Sequence, residues 1–193
     1  MLATILLQTL PLVPAVLAGT VQYPEVVPGP GLPSLESLGL TSEQLYTMEP
    51  ASPGISLAHL IPSIREIADK VADTEVNARA SLAPMFTPIC ATDSGAYTDV
   101  NNLMACERYL ARIGSNDCTV PSGFKTVRYC FAGDADVNGL STTGKSLTST
   151  CASVAHAVRW IMNNCRRANK AAGSEAAFGN GDIIVTGVNR NFS

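Results

Sequence analysis

Three short runs carry side chains suited to chemistry. The first, Gly139-Leu140-Ser141-Thr142-Thr143-Gly144-Lys145-Ser146, matches the phosphate-loop pattern G-x-x-x-x-G-K-[ST] in full. In such loops backbone N–H groups cradle phosphates and a helix starts at the lysine. Here Ser146-Leu147-Thr148-Ser149-Thr150 is a poor helix start, and only 47 residues follow Ser146, too few for the parallel sheet such folds use. The run reads as a flexible Gly/Ser/Thr loop, and no nucleotide is expected.

The second run is Asp134-Ala135-Asp136-Val137-Asn138-Gly139, the opening of a calcium loop, D-x-D-x-N-G. Oxygen ligands at alternate positions with glycine at the sharp turn suit calcium, so Asp134, Asp136 and Asn138 are the candidate metal ligands. The twelfth loop position should be a bidentate glutamate and is Lys145, whose charge repels a cation. The competing reading is a hairpin turned at Asn138-Gly139 or Gly133-Asp134.

The third is Ser153 with His156, three residues apart and able to touch on a helix. The other histidine, His59, lies far upstream, with no ligand-like spacing between the two. No carboxylate is placed locally to orient His156, so the nucleophile–base–acid arrangement of a hydrolase is not assembled by sequence proximity. No residue is assigned as catalytic, and no cofactor is expected. Arg166-Arg167 has the form of a dibasic cleavage site, but it directly follows a helix and reads as a basic C-terminal end that favours the dipole. Asn191-Phe192-Ser193 is a glycosylation sequon.

The elements that place these runs are tied together by cysteine. All six cysteines, Cys90, Cys106, Cys118, Cys130, Cys151 and Cys165, lie in the later part of the 193-residue chain. None forms the close C-x₂-C pair of a zinc site. An even number behind an apolar leader reads as a disulfide framework.

The first eighteen residues contain no charged side chain, and Val16 and Ala18 suit the positions before a cleavage site. The stretch reads as a signal peptide, 1–18. Pro11, Pro14 and its short length argue against a membrane anchor. No stable membrane span is expected, and the protein is expected to be secreted.

Residues 19–85 read as a separate leader or pro-segment. Pro24, Pro28, Pro30 and Pro33 make its first third extended or disordered. Pro62 then opens an amphipathic helix with Ile64, Ile67, Ala68 and Val71 on one stripe. This leader has three basic against eight acidic residues, whereas residues 86–193 have ten against eight. An excess of two positive charges is far below that of a dedicated nucleic-acid binder, so none is expected.

In the cysteine-stapled domain, 86–193, Thr98 or Asp99 can cap a helix carrying Val100, Leu103, Cys106, Leu110 and Ile113. Ser149 or Thr150 can cap a second, with Cys151, Val154, Ala155, Val158, Met162 and Cys165 on one face and His156 and Trp160 on the other. Strands are predicted at 86–91, 124–131 (Val127, Tyr129 and Phe131 on one face), 136–141 and 182–186. The order is β-α-β-β-α-β: an α+β, two-layer sandwich of the split βαβ type, with two helices on one face of an antiparallel sheet. Cys151 and Cys165 on one helix would sit roughly 21 Å apart, beyond disulfide reach. The other pairings stay open.

From Pro88-Ile89-Cys90-Ala91-Thr92 to its end, the chain resembles small secreted fungal proteins of the necrosis-inducing effector type, related in fold to fungal killer toxins. The shared features are the Ile-Cys opening, the following helix, the strand ending Arg128-Tyr129-Cys130, the helix bracketed by Cys151 and Cys165, and the closing Gly179-Asn180-Gly181-Asp182-Ile183-Ile184-Val185. The resemblance implies virulence-type action on a host or competitor cell-surface target. It supplies no catalytic residues. Sequence alone therefore leads to an effector or toxin-like protein that acts by binding. The alternatives are a small hydrolase using His156 or the Asp134/Asp136 pair, and a cell-wall or surface structural protein.

Overall fold

Alternating and helical apolar patterns here build a main six-stranded sheet with two long helices laid across it, beside a three-stranded and a two-stranded ladder. The computed structural model describes residues 21–49, 86–178 and 180–192. The predicted signal peptide and the Pro62 helix fall outside these residues.

The strands are β1 (Val26–Pro28), β2 (Ile89–Cys90), β3 (Thr98–Asp99), β4 (Asp117–Val120), β5 (Val127–Ala132), β6 (Ala135–Ser141), β7 (Leu147–Thr150), β8 (Arg166–Arg167), β9 (Lys170–Ala171), β10 (Gly173–Ala177) and β11 (Asn180–Asn189). The helices are α1 (Ser42–Thr47), α2 (Val100–Arg112) and α3 (Cys151–Asn164), with 3-10 turns at Glu36–Leu38 and Ser94–Ala96. The main sheet runs β1-β5-β6-β11-β10-β2, and every pairing in it is antiparallel. The expected β-α-β-β-α-β run is present as β2, α2, β5, β6, α3 and β11. Between its last strand and its first lies β10, which the sequence reading did not mark. The predicted strand 86–91 shortens to β2 at the sheet edge, paired with Gly173 and Ser174.

Both helices begin where the caps predict. Asp99 accepts the Asn101 N–H at 2.7 Å, and Thr150 Oγ1 accepts the Ser153 N–H at 3.2 Å. Their apolar stripes fill the space between α2, α3 and the sheet: Leu103, Cys106, Leu110, Val154, Val158 and Ile161 are fully buried. α2 packs on β5 and β6, α3 on β10 and β11, and the helices pack on each other. Gly187 of β11 lies close beneath both helices. A Cβ there would lie 3.1 Å from Leu103 Cδ2 and 3.6 Å from Ile161 Cδ1. Arg159 of α3 pairs with the buried Glu107 of α2, its Nε donating at 3.0 Å. Trp160 is half-buried and His156 exposed, on the side away from the stripe.

The disulfides pair Cys90 with Cys165, Cys106 with Cys130, and Cys118 with Cys151, with Cα separations of 5.1, 5.7 and 5.0 Å. They tie β2 to the end of α3, α2 to β5, and β4 to the start of α3. β4 and β7 form a separate two-stranded ladder, Asp117 opposite Thr150 and Val120 opposite Leu147.

Residues 21–49 are packed on the domain and are not a free extended tether. β1 lengthens the sheet at the β5 edge, with Val26 opposite Ala132. Pro28 is tolerated there because an edge strand can spare a donor. Leu45 of α1 is 0% exposed. Arg108 of α2 donates Nη1 to the carbonyls of Leu45 and Tyr46, each at 2.8 Å, and the Tyr109 hydroxyl donates to the Pro33 carbonyl at 2.7 Å. The packed unit therefore reaches upstream of residue 86.

Candidate functional site

The calcium-loop residues form a hairpin. Ala132 pairs with Ala135 across Gly133-Asp134, so the turn falls at the second of the two proposed dipeptides, with Gly133 at φ 52°. Asp134 points back at the start of α2. It accepts hydrogen bonds from the Thr98 hydroxyl, the Asp99 N–H at 3.2 Å and Asn102 Nδ2 at 2.8 Å. Asp136 is held by Arg128 through two parallel bonds, Nε at 2.7 Å and Nη2 at 2.8 Å. Asn138 lies in β6, opposite Arg128 and Thr186. The two carboxylates thus serve different partners on different elements. Among the described residues, no cluster of three His, Cys, Asp or Glu side chains is placed to hold a metal.

The alternation predicted along 124–131 breaks. Val127 lies opposite Gly139 but Phe131 lies opposite Asp136, with a register shift between Arg128 and Cys130. An odd offset along β6 puts Val127 and Phe131 on opposite faces. Phe131 therefore joins the face away from the helices, where the Arg128 and Arg190 guanidinium carbons lie 5.3 and 5.7 Å from its ring centre.

The phosphate-loop pattern spans the end of β6, a bend, and the approach to β7. The next helix begins at Cys151 rather than at Lys145. No helical N-terminal turn stands behind the lysine. The bend instead supports an aromatic. Phe124, in the loop before β5, is 65% exposed and has φ 55°. Gly123 beside it donates its N–H to the Gly144 carbonyl at 2.8 Å. A Cβ on Gly144 would come within 2.7 Å of the Phe124 ring, so glycine there makes room for it. Lys125 and Lys145 are exposed on the same two loops, and Thr142 of the second loop donates its hydroxyl to the Asp182 carboxylate at 3.2 Å.

A left-handed backbone costs an ordinary side chain about 1–2 kcal/mol, and bulky residues rarely adopt it. Water-facing phenylalanine recovers little of that by burial. Strain of this kind concentrates at binding and switch sites. The Phe124 tip, with its two lysines, is the candidate site. Its sequence signal was absent: Phe124 has an ordinary residue type, and the feature lies in its backbone angle.

The Ser153–His156 pair does not form. The Ser153 hydroxyl shares a hydrogen bond with Thr150 Oγ1 at 2.9 Å, and the His156 ring lies 5.0 Å from that of Phe178. Arg166-Arg167 is β8, not a helical end. Arg167 covers the Tyr97 ring at 4.3 Å, and Arg166 Nε donates to the Ala168 carbonyl at 2.7 Å.

No described helix is long and apolar enough to cross a membrane. A family model described as a domain of unknown function, DUF8794, matches residues 87–188, which hold all three disulfides, both long helices and the Phe124 tip. No curated protein matches the chain, and no solved structure does.

Proposed function

We propose that this chain, which belongs to the DUF8794 family, is a secreted effector or toxin-like protein that binds a target on the surface of a host or competitor cell. The observation that carries this reading is Phe124: a large apolar ring exposed on a left-handed backbone, flanked by Lys125 and Lys145. Three disulfides support it, since they belong to oxidising compartments. So does the use of Asp134, Asp136 and Ser153 in hydrogen bonds that hold the fold. An exposed aromatic anchor with a lysine on each of its two loops suits a target with an apolar slot and negative charge at its rim.

The test is competition on intact cells. Fluorescently labelled, oxidised protein is applied to plant and fungal cells, with unlabelled protein as competitor. Saturable binding is expected, with unlabelled Phe124→Ser competing at least about tenfold more weakly than wild type, in the range of an interface anchor. Non-saturable binding, or equal competition by the two proteins, overturns the reading.

A further inference from the structure

Residues 21–49 differ from the rest of the packed unit in how they are attached. No cysteine lies upstream of Cys90, so the three disulfides close within residues 90–165. The segment is joined to the stapled domain through residues 50–85. Its other ties to the domain are non-covalent.

The domain holds the segment largely by its main chain. β5 pairs with Val26–Pro28, and Gly29 donates its N–H at 2.8 Å to the carbonyl of Tyr129, whose own buried hydroxyl is unbonded. The two stretches run so close that a Cβ on Gly29 would lie 1.9 Å from the Arg128 carbonyl oxygen. Arg108 Nη1 donates to the Leu45 and Tyr46 carbonyls, and the Tyr109 hydroxyl to that of Pro33. Arg108 thus meets carbonyls near the end of α1, the acceptors a helix leaves open. Among the described residues of the segment, Val26 and Leu45 are the buried apolar side chains. Strand addition at a sheet edge and a helix docked by an apolar anchor are both ways in which domains recognise peptides.

Burial shows which half depends on the other. α2, α3, the strands from β5 to β11 that they cover and all three disulfides lie in residues 86–193 and supply most of the core. The segment adds two anchors to it. The groups that grip the segment, from Arg108 and Tyr109 to β5, all lie within the family match, 87–188.

We propose that the face formed by α2 and the β5 edge is a peptide-binding site. Its ligand is this chain's own segment 21–49, held in cis by the 50–85 link and exchangeable once that link is cut. Tethering supplies an effective concentration on the order of millimolar, so an added peptide is shut out while the link is whole. The site does not involve the Phe124 tip.

The test uses the full, oxidised chain with the recognition sequence of a site-specific viral protease inserted after Asp73. Cut and uncut protein are run on a sizing column, weighed by native mass spectrometry, and mixed with isotope-labelled synthetic peptide 21–49. The upstream fragment is expected to stay with the stapled domain after cutting. Labelled peptide is expected to replace it in the cut protein and to leave the uncut protein unlabelled. A Leu45→Ala peptide should compete at least about tenfold more weakly, as for the loss of an interface anchor. Loss of the fragment on the column overturns the proposal, since the contact would then depend on the link. Aggregation of the cut protein, or retention of the fragment without exchange on prolonged incubation, also overturns it, since the segment would then be part of the core and not a ligand. So does uptake of peptide by the uncut protein, or equal competition by the Leu45→Ala peptide.

Discussion

Thr98 donates its hydroxyl to the Asp134 carboxylate across 36 positions of sequence. Thr98 is fully buried just before α2, and Asp134 sits in the β5–β6 turn. The bond fastens a helix start to a hairpin, and the Asp99 N–H and Asn102 amide reinforce it. A residue that has the place of a calcium ligand in the sequence is a structural anion in the fold.

Asp134 should therefore make stability depend on acid. Burial acts to raise its pKa, but the hydrogen bonds from Thr98, Asn102 and the Asp99 N–H, with Lys170 nearby, overcome that and hold it below the ordinary 3.8. The unfolded chain takes up this proton first, so the contribution is complete above about pH 4 and is lost as pH falls through the lower folded value. The melting temperature of wild type should drop between about pH 4 and 2 more steeply than that of Asp134→Asn. At neutral pH Asp134→Ala should lose about 1–3 kcal/mol by leaving its donors unmet. Millimolar calcium should move neither protein; a rise in melting temperature with calcium would restore the metal reading.

Leu45→Ala tests whether the upstream segment belongs to the fold. Leu45 is completely buried against the domain, and truncating such a side chain costs about 2–5 kcal/mol. The urea midpoint should fall accordingly. An unchanged midpoint would mean that residues 21–49 contribute nothing to stability.

Both long helices were legible in the sequence because their signals are local: caps at Asp99 and Thr150, then apolar residues three and four apart. β6 and β11 were legible for the same kind of reason. β10, Gly-Ser-Glu-Ala-Ala, has no β-branched residue and is a strand because β11 and β2 flank it. β4 and β7 pair across an intervening hairpin, which no short window reveals. Prolines 28, 30 and 33 read as a tether because proline breaks regular structure, yet an edge strand and the turn after it accommodate them. Asp134 and Asp136 fit two motifs at once, and the choice between them lies with the distant Thr98 and Asn102 and with Arg128 on the neighbouring strand. Tyr129 read as a core residue on an alternating strand. Its unbonded hydroxyl becomes visible only with the bulge and Gly139 in place.

Reduction should be ordered. Cys106, Cys118, Cys130 and Cys151 are fully buried, whereas Cys90 is exposed in the edge strand β2. Exchange needs access to a sulfur. Under limiting dithiothreitol, Cys90 and Cys165 should be the first cysteines alkylated in a peptide map. Without reductant, none should be labelled. Early labelling of Cys106 or Cys118 would contradict this order.

His156→Ala separates binding from catalysis more cleanly than a combined change with Asp134 and Asp136, which would damage the fold itself. His156 is exposed and its ring contacts that of Phe178, so its replacement should leave the protein folded at a cost of about 0.5–1.5 kcal/mol. Cell binding and any biological effect should persist. Loss of effect in this folded variant, with binding intact, would point to a hydrolase.

Phe124→Gly should uncouple stability from function. Glycine adopts φ 55° without the steric cost that phenylalanine bears, a relief of about 1–2 kcal/mol. Its greater freedom in the unfolded chain offsets about 0.5–1 kcal/mol of that. Since Phe124 is 65% exposed, little buried area is lost, and the variant should melt at or slightly above the wild-type temperature. If the ring is the anchor of a cell-surface contact, the same variant should compete for cell sites at least about tenfold more weakly than wild type. A more stable protein that has lost binding is the signature of a residue held under strain for a partner. A variant that melts lower and still binds would mean instead that the ring is part of the packing of the two loops.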